Sequence, residues 1–365
     1  MTKLQIYEDE KLKRVKYPGY NHLFNKLTGE CFRWGEKRED DPCLAPAPEL
    51  LDIEISTVVS KEEAKQYEND SRFHLIPSGC NGKGCYFCYK GNNKNNVTVS
   101  MTLNTFKQIM QKIPKTVCQI AFGITSIDSN PNLWAIMEHT RKLGIVPNIT
   151  INGIGITREH LLNLKRLCGA VAVSVNPYNY IESLACIKRM IADFDIKQTN
   201  IHYVIHKDSY NYLFDLIDNI YEGEVLNKIN ALVLLAAKDK QECGLTPITV
   251  EEYSKIIEYA KEKRVRLGFD SCSANVYTKC IYNDPNFDKL IEYVEPCESG
   301  LFSFYINTFG EGYACSFVEG ITHKWDVLNC IDFNKDIWYS NAMKNWRKRL
   351  FKCSRNCPIY KTSEK

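Results

Sequence analysis

Cys80, Cys85 and Cys88 fall within Cys80-Asn-Gly-Lys-Gly-Cys85-Tyr-Phe-Cys88-Tyr-Lys. The two glycines and the asparagine-rich run that follows make a loop able to wrap a centre and turn three sulfurs inward. A tetrahedral zinc site asks for four protein ligands, whereas three thiolates on a [4Fe-4S] cube leave one iron open to a substrate or cofactor. Half of a zinc site completed by later cysteines, or a cluster serving only electron transfer, are the alternatives. Cysteines return near the carboxyl end. Cys297 and Cys315 flank a segment that reads as a hairpin turning at 309–312, with Gly310 five residues before Cys315, so their thiols come back to one place. Cys353-Ser-Arg-Asn-Cys357-Pro adds two more on a compact turn after a helix-like stretch, 337–350. Those four ligands suit an iron-sulfur cluster or, by the same arithmetic, zinc. Cys330, between the pairs, is an alternative ligand.

The remaining cysteines read more plainly. Cys118, Cys168 and Cys186 sit in apolar or helix-like segments and are expected to be small buried hydrophobes. Cys31 and Cys43 have no partner at metal-binding spacing, and joining a metal site is the lesser reading for them. A hydrophobic content of 44% in 365 residues allows an extensive core, and Lys+Arg 47 against Asp+Glu 44 leaves a net charge of +3. No basic tract is long enough to argue for nucleic acid, and the basic stretch 344–352 reads as a solvated helix face. No apolar run has the length of a membrane span, and the first residues lack the apolar core of a signal peptide. The expected location is the cytoplasm, where thiols stay reduced.

The elements that must position these thiols follow a regular order. Residues 1–48 read as an amino-terminal extension, broken by Pro42, Pro46 and Pro48. A first strand is expected over 51–57, then a charged insertion over 60–70, then the cysteine loop. Beyond it, helix-period and strand-like segments alternate, with strands near 117–122, 147–151, 170–175, 200–205 and 231–235 and a further edge segment at 266–269. Short apolar strands between helices imply a parallel sheet with right-handed crossovers. The fold class is therefore α/β, with a doubly wound sheet as the alternative to a barrel. The expected units are 1–48, a barrel over 49–285 and a small cysteine-rich module over 286–365.

The cysteine loop, with an aromatic before its last cysteine and a strand before it, resembles the cluster loop of the radical S-adenosylmethionine (SAM) superfamily. The usual spacing there is three residues then two; here it is four then two. The carboxyl-terminal cysteines resemble the first half of the SPASM module, the shorter twitch form that binds an auxiliary Fe-S cluster. The resemblance implies a partial (β/α)6 barrel whose chemistry sits at the carboxyl ends of the strands. It implies Cys80, Cys85 and Cys88 as ligands of a [4Fe-4S] cluster with an open iron for SAM, and Cys297, Cys315, Cys353 and Cys357 as ligands of the auxiliary cluster. Implied cofactor contacts are Phe87, Gly123, Thr125, Asn152, Ser174 and Asn176. The family's Gly-Gly-Glu-type segment is reduced here to Gly123 without its acid, for which Asp128 is the stand-in. Asn152-Gly153 has also the plain reading of a turn, and His202 and His206 that of core histidines. Cys272, after a strand-like segment, is the candidate hydrogen-atom donor, with metal binding or packing as its other readings. The implied activity is reductive SAM cleavage and hydrogen abstraction from a substrate, foremost a peptide or protein under modification, with a small-molecule dehydrogenase or cyclase as the alternative. A flavodoxin or ferredoxin is the implied reductant. A zinc-bound scaffold without catalysis is the rival from another class.

Overall fold

The computed structural model describes residues 4–80, 85–92 and 95–362. The spacer 81–84, which carries the extra residue of the cysteine loop, lies outside them. The amino-terminal extension is a complete antiparallel sheet, β1 (Gln5–Glu8), β2 (Leu12–Tyr17), β3 (Tyr20–Asn25) and β4 (Cys31–Trp34), paired in that order. Gly19, at φ 72°, permits the two-residue turn that pairs Tyr17 with Tyr20. Period-two alternation along β2 buries Lys13 and Val15 on one face.

β5 (Leu50–Glu54) opens the central sheet. The strand expected over 51–57 ends there, because Ser56 and its successors pair with a different partner. The chain leaves through β6 (Ser56–Val59), α1 (Lys61–Ala64), β7 (Phe73–Ile76) and β8 (Val97–Met101), a three-stranded sheet of order β6-β8-β7. It returns through α2 (Leu103–Lys112), whose first turn is capped by the Thr102 hydroxyl accepting from the Thr105 amide. Then follow β9 (Gln119–Gly123), α3 (Leu133–Lys142), β10 (Val146–Ile151), α4 (Arg158–Leu167), β11 (Val171–Ser174), α5 (Tyr180–Ala192), β12 (Thr199–Ile205), α6 (Tyr210–Glu222), β13 (Ala231–Ala236), α7 (Val250–Glu262) and β14 (Leu267–Phe269). β5 and β9 to β14 are neighbours in sequence order and all parallel. This is a partial (β/α)6 barrel with β14 as its edge segment.

After α8 (Ala274–Ile281) and α9 (Phe287–Leu290), β15 (Ser303–Ile306) pairs in parallel with β5, from Ser303 opposite Leu50 to Ile306 opposite Ile53. β16 (Glu311–Tyr313) and β17 (Trp325–Asp326) add antiparallel strands, and α10 (Asn341–Lys352) follows. The barrel sheet thus runs on into the cysteine-rich region. The helix expected over 337–350 begins later, because 334–338 form a single π turn before Ser340 caps α10.

The amino-terminal sheet sits under the barrel, at the ends of the strands opposite the cysteine loop. Lys13 donates to the Val117 carbonyl at 2.7 Å, just before β9. Glu49, just before β5 and 2% exposed, accepts from His22 Nδ1 at 2.8 Å, Arg33 Nε at 2.8 Å and the Tyr20 hydroxyl. Burial alone would raise the Glu49 pKa; the hydrogen bond and charge of His22, then Arg33 and Tyr20, hold it below the usual glutamate value. A carboxyl depressed in the folded state adds stability above its ordinary pKa and loses it as pH falls through the folded value. Glu49→Gln is therefore expected to cost about 3–5 kcal/mol in urea unfolding at neutral pH. The gap should narrow under acid; an equal gap at pH 7 and pH 3 would contradict this role.

Candidate functional site

The carboxyl ends of the strands form one mouth, and the cysteine loop is tied across it from several sides. The Cys80 thiol donates to the Thr125 carbonyl, past β9, at 3.4 Å. The Asn176 amide, past β11, points Nδ2 at the Cys85 sulfur at 3.7 Å. Tyr86 donates to Asp208, past β12, at 3.1 Å, and Gln241, past β13, donates to the Tyr89 carbonyl at 3.1 Å. Burial first, then the neighbouring Cys88 and Cys80, push the Cys85 thiol up to about 11. Thiols that hinder one another's ionisation are ones a cation would relieve of their protons.

Around this mouth several buried polar atoms have no hydrogen-bond partner: Thr125 Oγ1, Asn152 Nδ2 and His206 Nδ1, the last standing 4.0 Å from the Asp208 carboxylate. Leaving such groups unpaired costs free energy, so their convergence marks a place for a polar ligand. The backbone holds them firmly. Asn179 donates to the carbonyls of Asn152 (2.9 Å) and Ser174 (2.8 Å), joining the ends of β10 and β11. Gly153, at φ 77°, leaves room that a Cβ would lose to Ser183 Cα at 2.8 Å. Gly123 lets β9 approach β5, its imaginary Cβ lying 3.3 Å from Glu54 Cα. His206 is 3% exposed and packs its ring against Tyr86 and Phe87, at 5.9 and 5.8 Å between centroids.

A second group of thiols lies at the side of the barrel, between edge strand β14 and the β5–β15 seam. A cavity of about 580 Å³ there is lined by Cys272, Cys297 and Cys315 together with Asp52, Lys238 and Asp270. Burial and nearby charges, Lys238 opposing, push Cys272 up to about 12; burial pushes Cys315 up to about 11 and Cys297 well above the usual range. Cys272, Cys315 and Cys357 all act on the Cys297 thiol. Cys353 is exposed, and Cys330 is buried elsewhere, with its thiol on the Val327 carbonyl. Among the described residues no three His, Cys, Asp or Glu side chains stand close enough to hold one ion as they are.

The two groups are linked. Tyr89, next to Cys88, stacks on Phe317 at 4.4 Å, and the Phe317 amide donates to the Cys315 sulfur at 3.4 Å. Lys238 Nζ lies 4.1 Å from the centroid of that same ring and 3.3 Å from Asp270. Lys90 reaches Glu54 at 3.1 Å and the Tyr305 hydroxyl at 3.2 Å, and pairs with Glu319.

The sequence-selected positions divide accordingly. Cys80, Cys85, Cys88, Phe87, Thr125, Asn152 and Asn176 gather at the mouth, with Gly123 and Ser174 acting through their backbone. Asp128 does not join them: it is 69% exposed at its side chain and bound by His160 at 3.2 Å. Cys272 lies among the second group of thiols rather than at the first. His206, Lys90 and Lys238 went unselected as site residues, although the strand-end rule would have found His206 and Lys238, just past β12 and β13. His202 faces the lumen, hydrogen-bonded to Thr150 at 3.2 Å, and burial lowers its pKa to about 4.

No protein-family model matches the chain, and no curated protein matches it. Solved structures do. The crystal structure of Streptococcus suis SuiB bound to precursor peptide SuiA is 13% identical, covering 99% of each chain at a TM-score of 0.66. SuiB bound to S-adenosylmethionine is 13% identical over 94% of this chain and 90% of that one, at 0.58. Native anSMEcpe with bound AdoMet and a Cp18Cys peptide is 14% identical over 84% and 86%, at 0.53. The chain has the fold of these proteins. No helix among the described residues is long and apolar enough to cross a membrane.

If Thr125 Oγ1 is held for a ligand, removing it costs the empty protein nothing. Thr125→Val should leave the melting temperature unchanged or raised, whereas a loss of about 1 kcal/mol or more would mean that the hydroxyl is already bonded.

Proposed function

We propose that this chain is a radical SAM enzyme that modifies a peptide. The observation that carries the reading is the placement of three thiols, Cys80, Cys85 and Cys88, over a barrel mouth where Thr125, Asn152 and His206 keep buried polar atoms without a hydrogen bond. The donor set fits the cofactors: three sulfurs for a [4Fe-4S] cube with one iron left open, and polar groups beside it for an amino acid and a nucleoside. Bound there and reduced by one electron, the pair would supply cleavage of the sulfonium to methionine and a 5′-deoxyadenosyl radical that abstracts a substrate hydrogen. The chain's own part is positioning. Phe87 and His206 offer aromatic rings, Thr125 and Asn152 offer hydrogen bonds, and Asn176 donates to the Cys85 sulfur, which favours its thiolate. A peptide substrate is supported by the fold shared with proteins crystallised with precursor and substrate peptides.

For the auxiliary centre we propose the ligands Cys272, Cys297, Cys315 and Cys357. Cys272 lines the same cavity as Cys297 and Cys315, while Cys353 faces solvent. This makes Cys272 a ligand instead of a hydrogen donor and leaves Cys353 outside the set. Lys238, beside Cys272 and held by Asp270, would offset the negative charge of four thiolates. Functionally the units are 1–48, the barrel 49–285 and the module 286–365. A flavodoxin or ferredoxin in the cytoplasm would provide the electron.

Anaerobic reconstitution with iron and sulfide should give a brown protein with about eight irons per chain, and dithionite with SAM should release 5′-deoxyadenosine. Stoichiometric zinc after anaerobic purification, with no 5′-deoxyadenosine, would sink the enzyme reading. Replacing Cys80, Cys85 and Cys88 by alanine should abolish SAM cleavage. Cys272→Ala should lose about four irons and Cys353→Ala none; the reverse pattern would restore Cys353 as a ligand.

A further inference from the structure

We propose that Cys31, on an edge strand of the amino-terminal sheet, is a reactive thiol that hydroperoxides oxidise to a sulfenic acid, with His22 as its base and Glu49 holding the ring. The site is separate from both thiol groups above. His22 Nδ1 lies 2.8 Å from a Glu49 carboxylate oxygen, and its other nitrogen, Nε2, lies 3.1 Å from the Cys31 sulfur. A carboxylate can only accept, so Nδ1 carries the hydrogen and Nε2 presents a bare lone pair to the thiol. Carboxylate, imidazole and thiol in that order form the arrangement in which a ring takes the proton of a nucleophile. His22 and Glu49 are buried, whereas Cys31 is half-buried on β4, which pairs only with β3 in its sheet. The base is shielded from water while the sulfur stays within reach of a small reagent.

Burial pushes the Cys31 thiol up to about 12, with Arg33 acting against it and Glu49 and Glu295 adding to it, so the proton is not readily lost to water. Transfer to His22 avoids that cost, because it leaves thiolate, imidazolium and carboxylate in a row, each charge beside its opposite. The other groups around the ring are engaged elsewhere. Tyr20 and Arg33 hold Glu49, and the Cys118 thiol, 3.9 Å from His22 Nδ1, donates to the Thr116 carbonyl at 3.3 Å. These contacts leave Nε2 to Cys31. The thiolate attacks one peroxide oxygen; the S–O bond forms as the O–O bond breaks, sulfur gives up two electrons, and the departing alkoxide takes the proton from Nε2. Cys31 ends as a sulfenic acid, His22 as the neutral ring and the peroxide as an alcohol.

The test uses the full-length chain purified anaerobically, with each cysteine followed by peptide mass spectrometry. With tert-butyl hydroperoxide as oxidant and dimedone as trap, Cys31 should be labelled about tenfold faster, or more, than Cys43, a half-buried thiol of the same extension with no histidine bonded to it among the described residues. Iodoacetamide should alkylate Cys31 at a rate that stays level between about pH 6.5 and 8.5, whereas the Cys43 rate climbs about tenfold per pH unit. His22→Gln, which can still donate to Glu49, should slow dimedone labelling of Cys31 about tenfold and restore the climb. Labelling of Cys31 no faster than that of Cys43, or a wild-type rate that climbs as that of Cys43 does, would overturn the proposal. So would a folded His22→Gln chain that labels at the wild-type rate; should that variant not fold, the wild-type pH series decides by itself.

Discussion

The parallel pairing of β15 with β5 is the constraint on which the arrangement of the two thiol groups depends. A partial barrel leaves β5 with an open edge, and unpaired backbone groups there would invite another strand. β15 fills that edge, from Ser303 opposite Leu50 to Ile306 opposite Ile53. Once it is in place, Cys297 stands at the entry to the strand and the β16 hairpin returns Cys315 to the same side. The gap between β14 and this seam then becomes the cavity where Cys272 meets them. The same hydrogen bonds therefore finish the sheet and set one thiol group against the other.

Side chains reinforce the seam at its upper end. Lys90, two residues past Cys88, lies half-buried among Glu54 on β5, Tyr305 on β15 and Glu319 beyond β16. An ammonium largely withdrawn from water is tolerated only where carboxylates and hydroxyls answer it, and Glu54 and Glu319 are as dependent on Lys90 as it is on them. Burial first and then Glu319 raise the Glu54 pKa, with Lys90 acting against both. The network gives the cysteine loop a fixed anchor on the carboxyl-terminal region. Tyr89 on Phe317 is a second anchor, this one apolar.

At the opposite end the amino-terminal sheet closes the barrel floor. Pro46 and Pro48 carry the chain across to β5, and their carbonyls accept from Tyr339 and Thr116, both at 2.7 Å. The Trp338 ring nitrogen donates to Ala45 at 3.2 Å. The linker is thus gripped by both the barrel and the carboxyl-terminal region, and residues with no legible chemistry become the floor under the strands.

Local pattern alone determined much of this protein. Alternation of short apolar strands with amphipathic helices prescribes a parallel sheet, since each helix must bury one face and each crossover has one hand. The strand expected near 200–205 falls within β12, and the hairpin expected to turn at 309–312 is present with its turn two residues earlier, at 307–310, because periodicity and glycines act within a few residues. What spacing cannot encode is which distant segments share a sheet edge or a cavity. Cys272 and Cys357 are far apart in sequence and both act on the Cys297 thiol, whereas Cys353, only four residues from Cys357, is exposed. Lys90, Lys238 and His206 acquire their meaning only from charges and rings brought beside them by other strands. The sequence carries the chemistry of each thiol, and the closing of the sheet between β5 and β15 decides which thiols share a cavity.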